Sequence, residues 1–246
     1  MFADAAEPLQ HLTSPTGHSE SILGQPFSST AALDWLSPTH LVNEFVKTVS
    51  GYDVFGDAAA AVSGDWELVW QCAGAYRALA GALQDIGVNV SAGNIQLDQS
   101  WDGNAADAAY TCFTALSAAV SAQRIPLTEL AKGYEQAAEG TYRLTEALSG
   151  LMKDIADSAL IGALGAAVGT ATIQTGVGFV TGWGVAAYEA YKIGQMTARA
   201  REIIAAGSAV IGTATGFIQS ASGDTSALAR HPLPQAAYHH PETSEL

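Results

Sequence analysis

The chain has 246 residues, of which 48% are apolar and 8% aromatic, so it is long enough to bury a core. The abundance of alanine and the scarcity of aromatic residues favour helices over an all-β fold. Ten Lys and Arg against 24 Asp and Glu give a formal charge of −14. Because a phosphate backbone would repel such a surface, we expect no binding to nucleic acid.

The two ends of the chain lack hydrophobic periodicity, so residues 1–34 and 222–246 are predicted to be disordered tails. Residues 1–30 contain neither the basic nor the apolar region of a secretory signal peptide, and export by the general secretory route is not expected. Five of the six histidines lie in these tails and are interpreted as solvated residues: His11, His18, His231, His239 and His240.

The ordered domain is predicted over residues 35–221 and begins with a short helix. Ser37 and Pro38 suit a helix N-cap and the first helical position, and Gly51 ends the helix. Apolar residues follow at a spacing of four: Leu41, Phe45 and Val49.

Residues 65–150 are predicted to form a long antiparallel helical hairpin. Its first arm begins near Asp65, its second at Ala105, and Pro126 should kink or interrupt the second. Both arms carry apolar positions alternately three and four apart, the period of helices that supercoil around each other. These positions are Trp66, Val69, Ala73, Tyr76, Ala80, Leu83, Gly87 and Val90 in the first arm, and Leu116, Val120, Gln123, Leu127, Leu130, Tyr134, Ala137, Thr141, Leu144, Leu148 and Leu151 in the second, where only Gln123 and Thr141 interrupt the apolar character.

Residues 151–220 are predicted to form a second, Gly/Ala-rich helical hairpin that covers the first. Residues 158–188 contain no charge and seven glycines, and small residues three or four apart let helix backbones approach closely. Gly176 and Gly178 are expected to separate its two helices. The predicted fold is therefore an elongated all-α bundle.

Features of enzymes and metal sites are missing from the sequence. It has no Gly-rich phosphate loop, nucleophile elbow or His-Glu-x-x-His motif, so we expect no catalytic residue, cofactor or metal. Cys72 and Cys112 are interpreted as small apolar residues. The acidic residues Asp53, Asp57, Asp65 and Glu67 are interpreted as favourable charges near a helix start.

The Trp101-Asp102-Gly103 triplet at the expected turn resembles the Trp-x-Gly (WXG, ESAT-like) family of type VII, or ESX, secretion substrates. That family also carries a Tyr-x-x-x-Asp/Glu signal late in the following helix, and here Tyr142 and Glu146 match it. Over about residues 37–220 the chain is similar to actinobacterial CpnT-like N-terminal domains. A toxin or enzyme domain usually follows in such proteins, whereas here we expect only the short tail 222–246.

The resemblance implies a type VII secretion substrate, or its N-terminal targeting or adaptor module. Such a protein would be cytoplasmic before export and then secreted or cell-surface. Its partners would be the secretion machinery and either a small helical Trp-x-Gly protein or a second copy of the chain. Trp101, Gly103, Tyr142 and Glu146 would form the signal. Tyr142 and Glu146 share a helix face beside Thr141 and are expected to be partly exposed.

The charge-free segment 158–188 supports an alternative function. It is long enough to cross a bilayer core of roughly 30 Å, which suggests a membrane-inserting or channel-forming protein. Against this, the segment consists mostly of Gly, Ala and Thr, with Gln174 near its centre. A third interpretation, a hydrolase, has no motif to support it.

Overall fold

The computed structural model describes residues 4–17, 21–22, 25–26, 40–222 and 232, and it confirms an all-α helical bundle. A 3-10 helix spans Pro8–His11, and two short strands, β1 (Ser21–Ile22) and β2 (Gln25–Pro26), pair antiparallel. The helices are α1 (His40–Ser50), α2 (Val54–Val62), α3 (Trp66–Asp98), α4 (Asn104–Ala122), α5 (Arg124–Ala171) and α6 (Gly176–Ser222).

The chain divides into two compact units. The first comprises Met1–Gly17, Leu68–Gln136 and Thr213–Leu246, and the second comprises His18–Glu67 and Ala137–Gly212. These units differ from the predicted hairpins 65–150 and 151–220. The reason is the length of α5, which has 48 residues and no helix-breaking residue near position 150 other than a single glycine, so that it contributes to both units.

The first unit contains the predicted antiparallel hairpin of α3 with α4 and the start of α5. Its cross-contacts follow one register: the Asn94 amide bonds to Tyr110 and Thr114, while the Tyr76 and Tyr134 rings stack 5.4 Å apart. Burial raises the pKa of the Tyr134 phenol. Three predicted α3 contact positions, seven residues apart, are buried as expected: Ala73, Ala80 and Gly87.

The second arm of this hairpin is interrupted where the sequence predicted. Helix α4 ends at Ala122 and α5 begins at Arg124, two residues before Pro126. Because proline has no amide hydrogen, it is tolerated in the first turn of a new helix. The last turns of α6 also belong to this unit, where Ile218 packs against a small cluster of Ala80, Leu127 and Leu130.

The second unit has the larger apolar core. It joins α1 and α2 to residues of α5 and α6, with Leu148, Met152, Ile155 and Ile193 among its fully buried side chains. The C-terminal helix covers the predicted apolar positions of α5: a Cβ on Gly207 would lie 2.8 Å from the Leu144 side chain. The expectation that the C-terminal segment covers these positions is therefore confirmed at Leu144.

Two parts of this architecture were not predicted. Helix α2 was not predicted. Its N-cap is Asp53, whose carboxylate accepts a hydrogen bond from the Gly56 amide at 3.0 Å. Lys47 pairs with Asp53 at 2.9 Å and holds the pKa of that carboxyl below its usual value. Gly51, with φ +69°, ends α1 as predicted, whereas Ser37 and Pro38 lie outside the described residues.

The other correction concerns the N-terminal segment, defined here as residues 4–17. It was predicted to be disordered, yet it contacts α3. The Asn89 side chain accepts hydrogen bonds from the amides of Ala5 and Ala6 and donates one to the Ala6 carbonyl. His11, expected to be a solvated tail residue, lies 2.9 Å from Asp85.

Candidate functional site

The Trp101-Asp102-Gly103 triplet forms the turn between α3 and α4, as the sequence predicted. Gly103 is the N-cap of α4 with φ +101° and ψ 174°. A residue with a side chain would be strained in this backbone conformation. The Gly103 carbonyl accepts the first hydrogen bond of α4, from the Asp107 amide at 3.1 Å. The glycine is thus required by the turn geometry itself.

Trp101 is held at the surface of the turn. Its side chain is 39% exposed, and together with Asn94 and Tyr110 it lines a small pocket between the ends of α3 and α4. Asn94 is buried and anchors the two helices to each other through its amide. The ring therefore rests against the hairpin end while part of it stays accessible to another molecule.

Tyr142 and Glu146, the other candidate signal residues, differ from each other. Glu146 is exposed, as expected, but Tyr142 is only 5% exposed, which corrects the expectation that it lies partly at the surface. The reason is that α5 buries more than its predicted positions, because Ala138, Tyr142 and Thr145 are also covered. A helix packed by neighbours on more than one side has a wider buried face than a two-helix pattern predicts.

The four signal residues fall into different compact units. Trp101 and Gly103 belong to the first, and Tyr142 and Glu146 to the second. Each pair of matched residues therefore lies within one unit, Trp101 and Gly103 in the turn and Tyr142 and Glu146 four residues apart on α5.

A second surface feature is the hairpin tip, defined here as residues 158–188 at the turn between α5 and α6. The predicted second hairpin is present, with its turn at residues 172–175 and Gly176 opening α6. The segment is therefore not one helix, and it cannot cross a bilayer as a single span. By length and composition alone, one stretch of the described residues could do so, Gly176–Ser220 within α6, which begins in the hairpin tip; this is weak evidence by itself.

The two arms of the hairpin tip meet through glycines. A Cβ on Gly182 would lie 2.6 Å from the Gly169 Cα, and one on Gly165 would lie 3.0 Å from the Gly182 carbonyl oxygen. Gly162 faces Phe45 of α1 and Glu189 of α6 in the same way. The predicted role of these small residues in close helix contact is confirmed at these positions.

Metal-binding clusters and buried carboxylates are sparse in the described part of the chain. No group of three or more His, Cys, Asp or Glu residues there is placed to hold a metal ion. Glu189 is the one buried carboxylate among these residues. A hydrogen bond from Lys192 at 2.9 Å holds its pKa below the usual value, and Ser158 contributes in the same direction.

Cys72 and Cys112 are both free and partly buried in the first unit. Cys72 lies near Tyr134, whereas Cys112 lies in the turn of α4 that Asn94 contacts through Tyr110 and Thr114. The antiparallel register therefore places the two thiols at different levels of the hairpin.

Comparisons with known proteins give no match: no family model, no curated protein and no solved structure corresponds to this chain.

Proposed function

We propose that the chain is a type VII secretion substrate, or the N-terminal targeting or adaptor module of one, recognised in its folded state through the helical hairpin. The observation that carries this proposal is the turn between α3 and α4. A Trp-x-Gly triplet closes a helical hairpin there, with Gly103 at φ +101° and the Trp101 ring partly exposed. Recognition is by protein–protein contact, with no catalytic step.

The burial of Tyr142 changes which groups a receptor would contact. Glu146 is exposed and available, whereas Tyr142 acts by holding the helix surface around it in place. We therefore assign direct recognition to Trp101 and Glu146, and a positioning role to Gly103 and Tyr142.

The proposed partner is a small helical Trp-x-Gly protein or a second copy of the chain. Support comes from α3, where Leu79 and Ile86 are exposed at a spacing of one heptad, and Leu68 is exposed earlier in the helix. Apolar residues at heptad spacing on an open helix face suit a neighbouring helix. Binding of such a partner would bury them before export.

The experiment compares export of single variants from a host with an active type VII system. Trp101→Ala and Glu146→Ala are expected to stay folded and to lose export, while Tyr142→Phe keeps both. The matched control is Phe113→Ala on α4, because Phe113 is 39% exposed, as Trp101 is. Normal export of Trp101→Ala and Glu146→Ala would refute the assigned signal.

A further inference from the structure

In the hairpin tip, small residues lie between the two helices and large apolar residues lie on the outside. This is the reverse of the usual arrangement in a water-soluble hairpin. Small residues face the opposite arm, namely Gly165 and Gly169 on α5 and Gly182 and Ala186 on α6. Large apolar side chains are exposed on the outside of both arms: Leu160, Ile161, Leu164, Val168, Ile173, Val177, Phe179, Val180 and Tyr188. Trp183 and Val185 lie at the edges of the contact, over Gly169 and Gly165, and are still 45% and 43% exposed. In water, burial of these larger side chains would be the favourable arrangement.

The exposed apolar residues surround α6 rather than forming one stripe. At 100° per residue, Val177, Val180, Trp183 and Val185 fall on different sides of the helix, and the remaining sector holds the small residues that contact α5. A helix that is apolar on all sides is typical of a protein core or a membrane. A groove in a partner protein would cover only one face of α6, whereas lipid can surround all of its exposed faces. Lipid is therefore the environment that fits this helix.

The threonine hydroxyls of the hairpin tip are satisfied within it. The hydroxyls of Thr170, Thr172, Thr175 and Thr181 each donate to a backbone carbonyl three or four residues earlier, at 2.6 to 3.0 Å. In the turn, the Thr172 and Thr175 amides also donate to backbone carbonyls. Internal pairing of this kind is required wherever water is absent.

The length of the arms limits how deep the hairpin tip reaches. Residues 158–171 and 176–188 each form an arm of about 20 Å at 1.5 Å per residue, less than the roughly 30 Å of a bilayer core. Charges begin again at Asp157 and Glu189, and Tyr188 and Tyr191 are exposed at that level, where tyrosines favour the headgroup region.

We propose that the hairpin tip inserts into a single leaflet of a membrane composed of zwitterionic lipids, with Ile173 deepest and Tyr188 at the headgroups. This goes beyond the proposed export function and does not depend on it. Zwitterionic lipids are specified because the chain carries a formal charge of −14, which anionic headgroups would repel.

The test is flotation of the purified full chain with phosphatidylcholine vesicles, with and without phosphatidylglycerol. The wild type is expected to float, and to float less as the anionic lipid increases. Val180→Glu or Leu164→Glu, at positions that are 68% and 59% exposed, should reduce binding by about tenfold or more. The matched control is Ile95→Glu on α3, 53% exposed, which should bind as the wild type does.

Depth is measured by quenching of tryptophan fluorescence with brominated lipids. Trp183→Phe should remove most of the quenching, and adding Ile173→Trp to it should restore quenching, now stronger with bromines deep in the acyl chain. Three results would overturn the proposal: a wild type that does not float, Glu variants that float equally well, or Ile173→Trp quenched no more deeply than Trp183. Loss of self-association in Val180→Glu, without vesicle binding by the wild type, would assign the surface to a second copy instead.

Discussion

Gly182 and Gly169 lie in backbone contact across the second hairpin, so close that a Cβ on Gly182 would come within 2.6 Å of the Gly169 Cα. Neither backbone has room for a methyl group without separating the two helices. The contact explains how a hairpin with large side chains on its outside holds together, because close backbone approach maximises van der Waals contact between its arms.

Gly182→Ala is therefore expected to destabilise the second unit by about 1–3 kcal/mol, since the methyl group meets backbone atoms that cannot move aside. Gly184→Ala is the control, because nothing lies within 4 Å of its Cβ position. It should be stabilising by about 0.5–1 kcal/mol through helix propensity alone. Urea unfolding followed by circular dichroism measures both, and equal effects of the two substitutions would refute the close contact.

Gly103→Ala should cost about 1–2 kcal/mol, because alanine at φ +101° is strained although the space around it is open. Gly93→Ala, in the interior of α3 with nothing within 4 Å, should instead be neutral or stabilising. Thermal unfolding of the two variants separates backbone strain from steric clash. A Gly103→Ala protein as stable as Gly93→Ala would show that the turn does not need a glycine.

Tyr142→Ala should destabilise the second unit by about 3–5 kcal/mol, since Tyr142 is 5% exposed and its removal leaves a cavity. Glu146→Ala, one turn later and exposed, should change the free energy of unfolding by no more than about 0.5 kcal/mol. Denaturant unfolding measures both values. If Tyr142→Ala were as stable as the wild type, Tyr142 would be a surface residue after all.

Asn89→Ala should release the start of the N-terminal segment, because one side chain supplies three hydrogen bonds to Ala5 and Ala6. At about 1 kcal/mol per bond, the loss should appear as faster hydrogen exchange of these two amides with little change in global stability. Gln96→Ala, exposed on the same helix, is the control. Unchanged exchange in Asn89→Ala would show that the segment is held by other contacts.

The regular parts of the fold were readable from the sequence because they depend on periodicity and helix-breaking residues. Ala73, Ala80 and Gly87 recur every seven residues and are buried, and the helix is interrupted beside Pro126. The hairpin turn was identified at Trp101 and Gly103 for the same reason: the apolar pattern stops before it and resumes after it.

Periodicity did not predict contacts between segments that are distant from each other in the sequence. His11 of the N-terminal segment lies over Gly81 of α3, where a Cβ on the glycine would come within 2.6 Å of the His11 Nδ1. No pattern in residues 4–17 indicates this contact, since it depends on Asn89 and on the lack of a side chain at Gly81 of α3. The burial of Tyr142 was missed because a pattern of period 3.5 describes contact with one neighbour, whereas the core around Leu144 draws on α1, α2 and α6.

The proposed export of this chain by a type VII system is tested by the amount of full-length protein outside the cell. The chain is expressed in a host with an active system and in an isogenic host in which that system is inactivated, with a cytoplasmic protein as the lysis control. We predict that the chain is found outside only when the system is active. Equal amounts outside both hosts, or none outside either, would contradict it.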